Sequence, residues 1–156
     1  MKIIHYASCF VVRSRDAGYE FLQLRRARGR FMEETWQLVT GGIEPGETAW
    51  QAALRELKEE TALVPSEFYQ VDVVNTFYLA ATDSISQSPM FCAVVLTDST
   101  VRLNEENTDY RWVPREKIEA CIMWPGERAA LREVFREILD DGPAKRYLRI
   151  AAPSPS

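Results

Sequence analysis

The sequence predicts an α/β domain, a mixed β-sheet with helices packed on it. Three observations support this. Strand-like and helical segments follow one another in the order β-β-β-α-β-β-β-α-α. The segment Glu127–Asp140 repeats Ala130, Leu131, Val134, Phe135, Ile138 and Leu139 at helical spacing, which makes one apolar face. The chain has 156 residues, 46% apolar and 27% charged, enough for one globular domain with a sizeable core. The expected domain is 1–150, and the Pro/Ser-rich tail 151–156 is expected to fray.

Each element follows from its composition. "IIHYASCFVVR" reads as a long buried strand. "SRDAG" supplies turn chemistry, and "YEFLQLRR" alternates after it, so a hairpin is predicted. "RGRFMEET" is a loop, and "WQLVT" is a short strand that leads into a glycine turn. A helix is predicted over Glu47–Ala62, and Pro65 stops it. "QVDVVNTFYLAA" and "SPMFCAVVLT" are two further strands joined across "TDSISQ". The acidic loop "NEENTD" precedes the short strand "YRWV". Pro114 opens the short helix "REKIEAC", and Glu127–Asp140 is the last helix.

Composition excludes several classes. The net charge is −4, and no basic run is long enough for a nucleic-acid footprint. The most basic stretch, "LRRARGR", reads either as a solvated strand end or as a phosphate-contacting patch. The three cysteines have no zinc or redox spacing, and Cys9 and Cys92 sit in apolar runs, so buried thiols and a cytoplasmic setting are expected. No signal peptide and no apolar stretch of about 20 residues is present, so no membrane partner is expected. His5 is the only histidine, which removes multi-histidine metal sites.

The chemistry concentrates between Thr40 and Glu60. Gly41 and Gly46 have the spacing of a phosphate-binding loop, but Glu47 stands where that loop carries lysine. A carboxylate there repels phosphate, unless a cation lies between them. On a helix of about 3.6 residues per turn, Glu56, Glu59 and Glu60 share an arc of roughly 100°. Ala49, Ala52 and Ala53 lie on the same side, while Trp50, Leu54 and Leu57 are expected to form the core stripe. Repulsion among the glutamates costs only about 0.2–0.5 kcal/mol per pair, so a solvated acidic face remains open. The carboxylates crowd the C-terminal half of the helix, however, where the dipole disfavours anions. The second open reading is a site for a hard divalent cation, Mg²⁺ or Mn²⁺.

This segment resembles the Nudix box, G-x5-E-x7-R-E-U-x-E-E-x-G-U, in which U is bulky and aliphatic. Gly41, Glu47, Arg55, Glu56, Leu57, Glu59, Glu60 and Leu63 fill its positions. Ala62 stands where the family carries glycine, a residue suited to a left-handed helix exit, and a slightly different exit ahead of Pro65 is therefore expected. The resemblance implies an α/β/α sandwich and metal-dependent hydrolysis of a diphosphate linked to another moiety. It implies Glu56, Glu59 and Glu60 as ligands of Mg²⁺ (or Mn²⁺), the Thr40 carbonyl as a further donor, Glu47 in support and Arg55 orienting the glutamates. It also implies an acidic residue from a distant loop. Glu106, six residues before Trp112, is the expected one, with Glu105 the alternative. The general base would be Glu56 or Glu106.

"WQLVTGG", "LQLRRA", "YRWV" and the pair Trp124 and Arg128 are similar to the dihydroneopterin triphosphate pyrophosphatase subgroup, which also acts on dATP-like nucleotides. The implied partner is a small nucleotide or pterin triphosphate and not a nucleic acid polymer. Trp36, Phe77, Phe91 and Trp124 are candidates to stack on a base or pterin, with core packing the alternative for each. Arg25 and Arg26 are candidates for phosphate contact. A dinucleoside polyphosphate or nucleotide-sugar hydrolase, and a nucleotide sensor without catalysis, are the competing readings. A homodimer is left open.

Overall fold

The computed structural model describes residues 1–151; the expected fraying of the tail lies, but for Ala151, outside the described residues. The central strand β1 (Lys2–Arg15) turns at Asp16, whose φ of 53° makes the tight connection, and returns as β2 (Gly18–Arg26). "WQLVT" forms two short strands, β3 (Trp36–Gln37) and β4 (Val39–Gly42), instead of the one expected. β3 extends the sheet beyond β2, whereas β4 pairs with β1. β5 (Glu67–Leu79) and β6 (Ser84–Val95) form a long hairpin, and β7 (Asn107–Pro114) pairs with β2. The main strand order is β3-β2-β1-β6-β5, and the β1–β6 pairing is parallel while the others are antiparallel. "SISQ", expected in the connection, belongs to β6, and the turn is confined to Ala80–Asp83.

Helices cover both faces of the sheet. α1 (Ala49–Thr61) packs on one face, where Ala52, Ala53 and Leu57 meet Ala7, Cys9, Val11, Leu22 and Val39. α2 (Arg115–Cys121) and α3 (Pro125–Glu133) cover the other, where Ile118, Ala130 and Leu131 meet Phe10, Val12, Phe21 and Met90. Alternation along β1 sends Phe10 and Val12 to one core and Cys9 and Val11 to the other. This is the predicted α/β/α arrangement. The expected last helix is broken: α3 passes into a π-helical turn, Val134–Leu139, and a short helix α4 (Lys145–Leu148) follows. Val134 and Ile138 remain buried, so the apolar stripe survives the change of winding. No described helix is long and apolar enough to cross a membrane.

Two expectations about α1 need correction. Its core stripe is Ala52, Ala53 and Leu57, with Trp50 and Leu54 only at the margin. The helix lies so close to β1 and β4 that small residues must face the sheet, and Glu56, Glu60 and Thr61 are buried on that side too. Ala62 does not take a different exit. It holds the left-handed conformation, φ 62°, and its amide donates to the Lys58 carbonyl.

Candidate active site

The site forms where α1 leans over β4. Thr48 caps α1: its hydroxyl accepts from the Gln51 amide, while the Gln51 side chain accepts from the Thr48 amide. This fixes the helix start behind the turn that carries Gly46 at φ 84°. Gly41 then permits close contact, because a Cβ there would lie 2.1 Å from Glu56 Cδ. A side chain at this position would displace the Glu56 carboxylate packed against it.

Arg55 ties the box together. Its Nη2 donates to Glu47 Oε1 at 2.7 Å and to the Gly42 carbonyl at 2.9 Å, and its Nε donates to Glu47 Oε2 at 3.1 Å. Its Nη1 donates to Glu56 Oε1 at 2.8 Å and to Glu59 Oε2 at 3.2 Å. The bidentate bond holds Glu47 below the ordinary carboxylate range, and it holds the guanidinium firmly charged. Glu47 is thus a clamp on Arg55.

Three carboxylates converge. One ligand atom each from Glu56, Glu60 and Glu106 lie within 4.8 Å of one another. Glu106 comes from the loop before β7, and its neighbour Glu105 is exposed. Glu59 is not in this group; its side chain is half exposed and joined to Arg55. Burial raises Glu56, opposed by the bonds from Arg55. Glu60 is fully buried. Its Oε1 accepts from Arg26 Nη1 at 3.3 Å and Asn107 Nδ2 at 3.1 Å, while Oε2 has no partner. Burial pushes Glu60 up to about 8, with Arg26 the largest opposing influence. A buried, unpartnered carboxylate oxygen beside two further carboxylates is unfavourable without a cation. The donor set is all oxygen, and it fits a hard divalent ion such as Mg²⁺ or Mn²⁺.

Of the three carboxylates, Glu106 lines a cleft of about 360 Å³, a size suited to a small organic ligand. Thr40, Gly41, Arg26 and Glu106 line its acidic end. Phe77 and Trp124 line it elsewhere, with rings nearly parallel at 9° and centroids 6.2 Å apart. The other stacking and phosphate candidates lie apart. Trp36 sits under the Arg111 guanidinium at 4.2 Å, Phe91 stacks on Phe68 in the core, and Arg25 donates to the Glu34 carbonyl. None of these three lines the cleft.

Sequence reasoning missed several lining groups. Arg30 reaches the cleft and pairs with no carboxylate among the described residues, although it belongs to the basic stretch already noted. Asn107 was hidden in an acidic loop. Glu127, buried and lining the cleft, opens the expected last helix and belongs to no motif that sets it apart.

Comparison with known proteins agrees with this fold. The pattern of the NUDIX domain family matches residues 5–134. The chain is 38% identical over 111 residues to an octanoyltransferase of Myxococcus xanthus, covering 68% of this chain but only 29% of that protein, most of which lies outside the match. It is 32% identical over 117 residues to the nucleoside triphosphatase NudI of Enterobacter sp. (strain 638), covering 70% of this chain and 82% of that one. The dihydroneopterin triphosphate pyrophosphohydrolase of E. coli shares the fold, with a TM-score of 0.67 at 22% identity over 85% of this chain and 97% of that chain.

Proposed function

From the premise that this chain belongs to the NUDIX domain family, we propose that it is a divalent-metal-dependent pyrophosphohydrolase of a nucleoside- or pterin-triphosphate-like substrate. Water attacks a bridging diphosphate phosphorus, the phosphoanhydride bond breaks, and the products are a monophosphate and pyrophosphate. The observation that carries this reading is the convergence of Glu56, Glu60 and Glu106, the last of which lines a cleft bounded elsewhere by aromatic rings.

Glu56, Glu60 and Glu106 would hold the cation, with Thr40 beside them. A divalent cation there supplies neutralising charge for phosphate oxygens and makes a nearby water more acidic. The remaining work falls to the chain. Arg55 and Glu47 keep Glu56 in one orientation, and Arg26 and Asn107 do the same for Glu60. Glu106, which would offer one oxygen to the cation and keep the other free, is the better general base. Its carboxylate accepts no hydrogen bond among the described residues, whereas Glu56 is bonded to Arg55. Arg30 meets the outer phosphates and, with Trp124 and Phe77, orients the substrate.

A Mg²⁺ and Mn²⁺ panel of dATP, GTP, dihydroneopterin triphosphate, diadenosine tetraphosphate and ADP-ribose, with products identified, tests the reading. Pyrophosphate release from a triphosphate is expected, and Glu106→Gln should lower kcat by about 10²–10⁴-fold. No metal-dependent release from any member would overturn it. Hydrolysis confined to the dinucleotide or the sugar nucleotide would move the activity to that class.

A further inference from the structure

We propose that Glu127 sets the base specificity of this cleft by accepting the two adjacent N–H donors of a 2-amino-4-oxopyrimidine edge. That edge is shared by guanine and by a pterin. The inference rests on the preceding reading for where the phosphates lie.

Glu127 stands in the first turn of α3, three residues after Trp124, and is 9% exposed. Its carboxylate has no hydrogen bond and no ion pair among the described residues, yet it lines the cleft. The helix start favours an anion there, and Arg26 is the cation near enough to oppose the effect of burial. Arg26, however, is bonded to Glu60. The side chain is nearly buried while its carboxylate oxygens stay open to the cleft without a protein partner, so a ligand entering there can replace water as their donor.

A neighbour points the same way. Gln37 also lines the cleft, and its Nε2 donates to the Thr35 hydroxyl at 2.8 Å and to the Met123 sulfur at 3.3 Å. The sulfur accepts only, which fixes the amide and leaves Oε1 as a second acceptor. The lining thus joins acceptors to the flat pair Phe77 and Trp124. Gly126 makes room for this arrangement, since a Cβ there would lie 2.0 Å from the Asn75 amide oxygen, and Asn75 lines the cleft too. Guanine and a pterin each present a ring N–H beside an amino group, which a carboxylate accepts as a pair. Adenine and cytosine present a donor beside a lone pair, which a carboxylate repels. Hypoxanthine keeps the ring N–H and lacks the amino group, so inosine nucleotides isolate the second bond.

The test compares GTP, ITP, dATP and dihydroneopterin triphosphate at pH 8, above the value of about 7 to which burial raises Glu127. The wild type should favour GTP over ITP by about tenfold or more in kcat/KM. Glu127→Gln should bring the two within about threefold, mainly through KM. The GTP and dihydroneopterin triphosphate arms separate the two sources of the edge. The same ratio is read as equilibrium binding of the α,β-methylene analogues of GTP and ITP with Mg²⁺. Binding preference without turnover would retain the inference and remove the hydrolase reading; turnover without preference would do the reverse. Equal use of GTP and ITP by the wild type overturns the inference without any variant, as does an unchanged ratio in Glu127→Gln.

Discussion

At the scale of single residues, the charge on Glu60 is set by what surrounds it. One carboxylate oxygen is bonded to Arg26 and Asn107, the other is buried and bare. Without metal, the folded protein therefore holds a proton on this group up to about pH 8, against an unfolded value of 4.5. The folded state binds more protons than the unfolded one in that window, so stability must fall as pH rises from about 4.5 to 8 and level off above it. Glu127, raised to about 7, adds to the same slope. Glu60→Gln removes the larger contribution. In urea titrations with EDTA, the variant should lose much of the slope and exceed the wild type at pH 8 by on the order of 1–3 kcal/mol, while losing metal-dependent hydrolysis. An unchanged slope would show that the Glu60 carboxylate is hydrated in solution.

At the scale of elements, α1 carries two conflicts with local preference, one of which builds the site. Carboxylates occupy its C-terminal half against the helix dipole, with only Lys58 in the last turn to offset them. Its exit runs through Ala62 at φ 62°, where a Cβ is strained. The amide of Ala62 still caps the helix at 2.8 Å, which holds the turn that leads into Leu63. Ala62→Gly should therefore stabilise the protein by roughly 0.5–1 kcal/mol, read as a higher urea midpoint with an unchanged m-value. Destabilisation would show that entropy lost by glycine outweighs the relieved strain. The pattern of the box was legible residue by residue, but the side of α1 that meets the sheet was not. Bulk alone favoured Trp50 and Leu54 for the core. Close approach to β4 at Gly41 selected Ala52 and Ala53 instead.

At the scale of the whole molecule, the sheet brings distant segments to one cleft. β2 delivers Arg26, the loop before β7 delivers Glu106, and the start of α3 delivers Trp124 and Glu127. A cation bound at Glu56, Glu60 and Glu106 would link α1 to that loop only in the folded state. Millimolar Mg²⁺ or Mn²⁺ should then raise Tm with a logarithmic dependence on concentration. Binding at pH 7 should also release protons, measured as a dependence of calorimetric heat on buffer ionisation enthalpy. A flat Tm up to millimolar metal would argue against a preformed site.

The sequence by itself determined the α/β class, the order of most elements and the acidic helix behind a glycine turn, because these follow from local periodicity and from spacing along one helix. The resemblance to the Nudix box added an acidic residue from a distant loop, Glu106 or its neighbour Glu105. Tertiary structure alone decided which carboxylates meet. Glu56 and Glu60 turn towards the sheet while Glu59 turns to Arg55 and solvent, a distinction of helix rotation that depends on what α1 packs against. It likewise excluded Trp36, Phe91 and Arg25 from the cleft and brought in Arg30, Gln37 and Glu127. Side-chain chemistry is written locally; the desolvation and convergence that make it a site exist only once remote strands have paired.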